Sequence, residues 1–233
     1  MSPAIPDKVE IMKTYDHRFK FFWALILVIF SMFLPSSAMA KSPPKAESGS
    51  RPQQLSVWET DVGGGFRKNA KNIGFTAGTG FGLEIFGSKQ AHQLALAYGH
   101  MGWMATDVIS KNRWYQGNLE IWGEVFGGAQ NYPESAGVIG LTIGPRYYFV
   151  THGRWVPFID AGAGVSGTDI GEPDLGTGFQ FNVQLGGGTH YFFKDNFALT
   201  FQIRGIHMSN GYIKRPNHGA NAVLFLIGAT YFF

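Results

Sequence analysis

Apolar and polar side chains alternate residue by residue in eight separate stretches of this chain. They run over about 72–86, 92–104, 116–127, 137–149, 155–166, 178–192, 197–208 and 221–233. Between them lie clusters of Gly, Asn, Asp and Pro, the residues that punctuate strands. A strand throws successive side chains to opposite faces, so each stretch predicts a strand with one apolar face. None carries a long helical repeat.

The two faces differ in kind. In the first stretch Ile73, Phe75, Ala77, Phe81, Leu83 and Ile85 share one face, and Gly74, Thr76, Gly78, Gly80, Gly82 and Glu84 share the other. In the sixth, Phe179, Phe181, Val183 and Leu185 oppose Gln180, Asn182 and Gln184. In the seventh, Phe197, Leu199, Phe201 and Ile203 oppose Thr200, Gln202 and Arg204. One face is bulky and apolar throughout. The other is small or polar and holds Glu84, Glu120, Glu124, Arg146, Asp160 and Arg204. Glu120 and Glu124 can be read as an acid–base pair or as partners of Arg146 and Arg204. Ion pairing is the expected reading, because buried charges need partners.

This pattern predicts an all-β fold, an eight-stranded antiparallel transmembrane β-barrel over 72–233. A soluble ligand-binding barrel would turn the same apolar face inward. Two features favour the membrane form. Small and oppositely charged residues suit a narrow, filled interior, and aromatics on the apolar face suit membrane interfaces. Each stretch is long enough for a tilted strand to cross a bilayer. The closing alternation of Val223, Phe225, Ile227, Ala229, Tyr231 and Phe233 resembles the assembly signal of bacterial outer-membrane barrels. With a periplasmic C-terminus, the 167–177 and 209–220 loops face outward and the Lys194-Asp195-Asn196 turn faces the periplasm. Two places fit less well. Residues 57–66 read as a ninth strand, an extension of the first or a lead-in. The link between the second and third stretches is long for a periplasmic turn.

Upstream, Phe21 to Leu34 is apolar except for Ser31, with His17, Arg18 and Lys20 before it and Ala38-Met39-Ala40 after it. A basic flank, a short apolar core and a small-x-small end predict a secretory signal peptide over 1–40. An N-terminal anchor helix is the alternative. Residues 41–71 are expected to form a flexible periplasmic leader, since 41–54 is rich in Pro, Ser and charge. The formal charge is +3, and the first 40 residues hold four basic and three acidic side chains. The remainder is nearly neutral, which argues against nucleic acid as a partner. With no cysteine in the chain, a thiol nucleophile and a disulfide scaffold are ruled out. The scattered His92, His100, His152, His190 and His218 form no metal-ligand motif.

The candidate chemistry lies near the end of the chain. His207 and Ser209 are two apart in the seventh stretch, so both belong to the apolar, lipid-facing side near the rim. Polar residues are out of place there in a purely structural barrel, and well placed for an enzyme acting on an outer-leaflet lipid. A neutral histidine can take the proton of an adjacent serine and make it a nucleophile. Asn210, Gly211 and Asn217 are candidate donors to a developing oxyanion.

His207-Met208-Ser209-Asn210, followed by Pro216-Asn217 and Gly219, resembles the signature hairpin of the lipid A 3-O-deacylase (PagL) family. The resemblance is strongest over about 203–233. It extends through the eight-strand pattern, including Pro157-Phe158-Ile159-Asp160-Ala161-Gly162. It implies an outer-membrane esterase that removes an ester-linked acyl chain from lipid A of lipopolysaccharide, without a cofactor. It implies Ser209 as nucleophile, His207 as base, and Asn210 and Asn217 as residues shaping the site. There is one departure. The family pattern has a glutamate four residues after the asparagine of the Pro-Asn pair, and this chain has Asn221. Either Asn221 orients His207, or Asp169, Glu172 or Asp174 reaches in, or activity is reduced or absent; the expected reading is Asn221. The alternative to an enzyme is a non-enzymatic small outer-membrane barrel serving envelope integrity or adhesion.

Overall fold

The computed structural model describes residues 66–151 and 153–233. The signal peptide, most of the leader and the ambiguous 57–65 segment lie outside the described residues. Eight strands follow in order: β1 Lys71–Gly82, β2 Gln93–Met104, β3 Gly117–Tyr132, β4 Ala136–Phe149, β5 Trp155–Thr168, β6 Phe179–Lys194, β7 Phe197–Ser209 and β8 Ala220–Phe232. Each pairs antiparallel with its neighbours, and β1 closes on β8, so the sheet is a barrel with no free edge. Closure leaves no strand edge unpaired with a neighbouring strand, which is what a lipid environment requires.

The alternation decides which face points out. Phe75, Leu141, Ile143, Phe181, Val183, Leu185, Ile203, Phe225 and Ile227 are exposed on the outer wall, while Asn72, Thr76, Glu120, Arg146, Gln184 and Arg204 are buried inside. A soluble fold with the apolar face inward is excluded by this arrangement.

The interior is not uniformly polar, as the sequence pattern implied; it has three storeys. At the end nearest the 210–219 loop lies an apolar cluster that includes Leu94, Leu96, Tyr98, Phe126, Leu175, Met208 and Leu224. Below it sits a charged layer. Arg146 is 2.8 Å from Asp160 and 3.3 Å from Glu120, and Arg204 pairs with Glu124 and lies 3.4 Å from Asp160. The expected ion pairs therefore form, and Glu120 and Glu124 are bound as counter-ions. At the opposite end Phe66, Tyr148, Phe158, Phe192 and Phe232 make an aromatic plug. Narrowness dictates some glycines: a Cβ on Gly162 would come within 2.7 Å of the Trp122 ring.

Two boundaries differ from the sequence pattern in ways that matter. Leu83, Glu84 and Ile85 keep the alternation, yet β1 ends at Gly82. The chain leaves the sheet there, so Glu84 is exposed and does not enter the interior charge layer. At the other side of β1, Phe66 is 1% exposed and packs against Tyr148 with ring centroids 5.0 Å apart. The residues just before β1 thus contribute a plug side chain to the barrel.

Candidate active site

His207 and Ser209 lie on β7 with the parity of the exposed Phe201 and Ile203. Both are half-buried on the outer wall at the loop end of the barrel. Cross-strand pairing sets their neighbours: Ser209 lies opposite Phe181 and His207 opposite Val183 on β6, and His207 opposite Asn221 on β8. The hydroxyl and the imidazole therefore sit in an apolar wall of exposed rings and aliphatic chains.

Asn221 also has outward parity, yet it is only 3% exposed. The segment that leaves β1 covers it. Leu83 N–H donates to the Asn221 carbonyl at 3.0 Å, and the Asn221 side-chain Nδ2 donates to the Ile85 carbonyl at 2.9 Å. That second bond fixes the amide orientation, so Oδ1 faces His207 Nδ1 at 2.7 Å. An oxygen acceptor there requires Nδ1 to carry the proton, an assignment made from the network around it. Nε2 is left with its lone pair, the form a general base needs. Phe86 follows Ile85, is 82% exposed, and stands edge-on to His207 with centroids 6.1 Å apart. Sequence reasoning missed Ile85 and Phe86. It placed both inside the first strand, and the decisive group of Ile85 is a backbone carbonyl.

Gly219 closes the imidazole from the other side. Its φ is +83°, and a Cβ there would lie 2.7 Å from His207 Cε1. Glycine is needed on both counts.

Of the other acidic candidates, Asp174 turns its carboxylate to His92 Nε2, 2.9 Å away, and Asp169 lies beside Gly137 of β4. Among the described residues no hydrogen bond links His207 to Asp169, Glu172 or Asp174, and none links it to Ser209. Successive outward side chains on a strand are about 6.6 Å apart along it. With the imidazole held by Asn221 and Gly219, approach of Oγ to Nε2 requires rotation of Ser209 about χ1.

The expected oxyanion donors separate into two kinds. Asn210 is fully buried, donates its N–H to Asn217 Oδ1 at 2.8 Å, and donates Nδ2 to the Lys214 carbonyl at 2.8 Å. Its donors are spent on the loop, where Asn210 staples the turn that follows Ser209. Gly211 is exposed, with φ of +61°. Asn217 uses its side-chain oxygen on Asn210, which leaves its Nδ2 as the free end of that amide.

The model of the family described as lipid A 3-O-deacylase (PagL) matches residues 104–230. The chain belongs to the PagL family. Lipid A deacylase PagL of Pseudomonas aeruginosa is 34% identical over 90 residues, which are 37% of this chain and 50% of that protein. The chain thus spans about half the length of the curated relative it matches. The crystal structure of the outer membrane enzyme PagL aligns with a TM-score of 0.51 at 19% identity, covering 66% of this chain and 97% of that one. Neisserial surface protein A (NspA) aligns with a TM-score of 0.53 at 14% identity, covering 71% and 100%. These two likenesses concern the fold, which the PagL family shares with a protein named only as a surface protein. This chain is accordingly an outer-membrane β-barrel. Its chemistry is set by the site, because a fold alone does not specify chemistry.

Proposed function

We propose that this protein is an outer-membrane serine esterase that removes an ester-linked acyl chain from lipid A. The observation that carries the reading is the chain from Ile85 through Asn221 to His207, which sets the imidazole tautomer beside an outward-facing serine. Family membership supports the substrate class. The exposed Phe181 and Val183 beside the site offer apolar wall on which an acyl chain can lie.

The steps follow from the residues. Ser209 Oγ attacks the ester carbonyl carbon as its proton passes to His207 Nε2. The carbonyl oxygen gains the negative charge, with Gly211 N–H and Asn217 Nδ2 as the candidate donors in the loop that follows Ser209. Collapse breaks the bond to the sugar oxygen, which leaves with the proton held by His207. Water, giving its proton to His207, then attacks the acyl-enzyme carbonyl; the bond to Ser209 Oγ breaks, His207 returns the proton to Oγ, and a free fatty acid is released. Asn221 holds the imidazole by a neutral dipole rather than a full charge, so the imidazolium is stabilised less than in a carboxylate triad.

The chain is read as a signal peptide over 1–40, a periplasmic leader over 41–71 and the barrel over 72–233, with Phe66 of the leader anchored in the plug. The test of function is the mass spectrum of lipid A from cells producing the wild-type protein or Ser209→Ala. The wild type is expected to lower the lipid A mass by one acyl chain and the variant to leave it intact. Equal deacylation by both would exclude the serine mechanism. An unchanged mass with the folded wild-type protein would favour a non-enzymatic barrel.

A further inference from the structure

Outside the His207–Ser209 pair, the most fully engaged side chain at this end of the barrel is Asp174, in the loop between β5 and β6. It is completely buried. Oδ1 accepts the Lys89 N–H at 2.6 Å, and Oδ2 accepts the Gln90 N–H at 3.0 Å and meets His92 Nε2 at 2.9 Å. His92, also fully buried, is held on its other side by Gln130 Oε1 at 2.7 Å. Gln130 in turn donates Nε2 to the Glu134 carbonyl at 2.9 Å.

The main chain of the same segment holds a different partner. The Asp174 carbonyl accepts the His218 N–H at 2.8 Å, and Leu175 bridges Asn217. Gly176 packs so closely on the 215–216 backbone that a Cβ would lie 2.8 Å from Pro216 N. Two loops meet at Asp174. One is the 83–92 loop, whose Ile85 carbonyl orients Asn221 and through it His207. The other is the 210–219 loop, whose Asn217 holds the Asn210 N–H, next in sequence to Ser209.

We infer that Asp174 is a positioning residue that holds the base arm and the nucleophile arm of this site in one register. The inference rests on the Ser209–His207 reading. A carboxylate suits the task because both oxygens must accept at once, from three donors. The amide of an asparagine has one oxygen and would turn an NH2 toward an N–H. With the carboxylate gone, the 83–92 loop loses its tie to the 174–175 segment. The Ile85 carbonyl is then free to shift, Asn221 can flip, and the imidazole loses its single tautomer. The chemical step suffers, whereas the outer wall that receives an acyl chain is untouched.

The test compares full-length wild type, Asp174→Asn, Asn221→Ala and the double variant, refolded in detergent, with purified lipid A as substrate. Asp174→Asn is expected to lower kcat at least tenfold with KM within about twofold. The double variant should lose clearly less than the product of the two single losses, since both act on His207, and coupled residues are non-additive. The ring-nitrogen NMR shifts of His207 supply a second readout: one tautomer in the wild type and a mixture in Asp174→Asn. His92→Asn, which spares both backbone contacts of Asp174, should show a smaller loss of the same kind if Asp174→Asn fails to fold. A wild-type kcat, losses that multiply, or an unchanged His207 tautomer would overturn the inference. Full activity in Ser209→Ala would instead remove the functional reading itself.

Discussion

Gly219 touches the edge of His207: a Cβ on this glycine would sit 2.7 Å from Cε1 of the ring. The loop returning to β8 thereby walls in the imidazole, and the ring has one seat between it and the Asn221 amide. Gly219→Ala is expected to displace the ring and to strain the backbone at φ +83°, a cost on the order of 1–3 kcal/mol. Deacylation should fall by about tenfold or more while the barrel remains folded. Kinetics beside a thermal unfolding curve check this, and wild-type kcat in a folded variant would contradict it.

Asn221→Ala removes the acceptor that fixes the Nδ1–H tautomer and leaves the Ile85 carbonyl without its donor. Positioned general-base catalysis contributes roughly 10²–10⁴-fold, so kcat should fall by about 10²-fold. KM should change little, because Asn221 is buried behind the 83–86 segment. Single-turnover measurements of acyl release separate the two. A loss confined to KM would mean that Asn221 contacts substrate instead.

Asp160 is the hub of the interior charge layer. Its Oδ2 accepts from Arg146 Nε at 3.0 Å and Nη2 at 2.8 Å, from Gln202 Nε2 at 2.8 Å, and from Arg204 Nη2 at 3.4 Å. Removing one member of a buried ion network leaves uncompensated charge and costs about 3–5 kcal/mol. Asp160→Ala should therefore lower stability by that amount in urea unfolding from lipid vesicles. The stability of Glu84→Ala, outside the layer, should stay near wild type. Equal stability of Asp160→Ala and wild type would refute the structural role of the layer.

The long link between β2 and β3 carries Trp114, which is 88% exposed. Its neighbour Tyr115 accepts, at its carbonyl, the hydroxyl of Tyr147 at 2.7 Å. Tyr147 belongs to the outward parity of β4, so the tip of this link lies along the lipid-facing wall. Lys111 and Arg113 are exposed beside it. Trp114 is expected to sit in the headgroup layer of the leaflet at the chain-terminal end. Phospholipids brominated near the headgroup should quench the wild type more than Trp114→Phe. Equal quenching of the two would place the ring in water.

Much of the architecture was readable before any coordinates. The two-residue period survives tertiary packing because every residue in a barrel wall faces either lipid or a filled interior. The strands, their antiparallel order and the outward parity of His207 and Ser209 follow from that local rule. So does the Arg146 and Arg204 pairing with carboxylates, since a buried charge has few other solutions.

The sequence could not say where alternation stops being strand. Leu83 and Ile85 continue the period of β1, but the chain turns away after Gly82 and lays its backbone over Asn221. Local periodicity contains no information about that departure, because packing against a strand 136 residues away decides it. The same limit hid the apolar storey built in part from Leu94, Leu96 and Tyr98, which face inward on β2. It also hid the bond between Asp174 and His92, 82 residues apart in the chain. The residue types at the candidate site were written in the chain, whereas the orientation of one amide, and with it the tautomer of His207, came from a carbonyl that only closure of the barrel brings alongside.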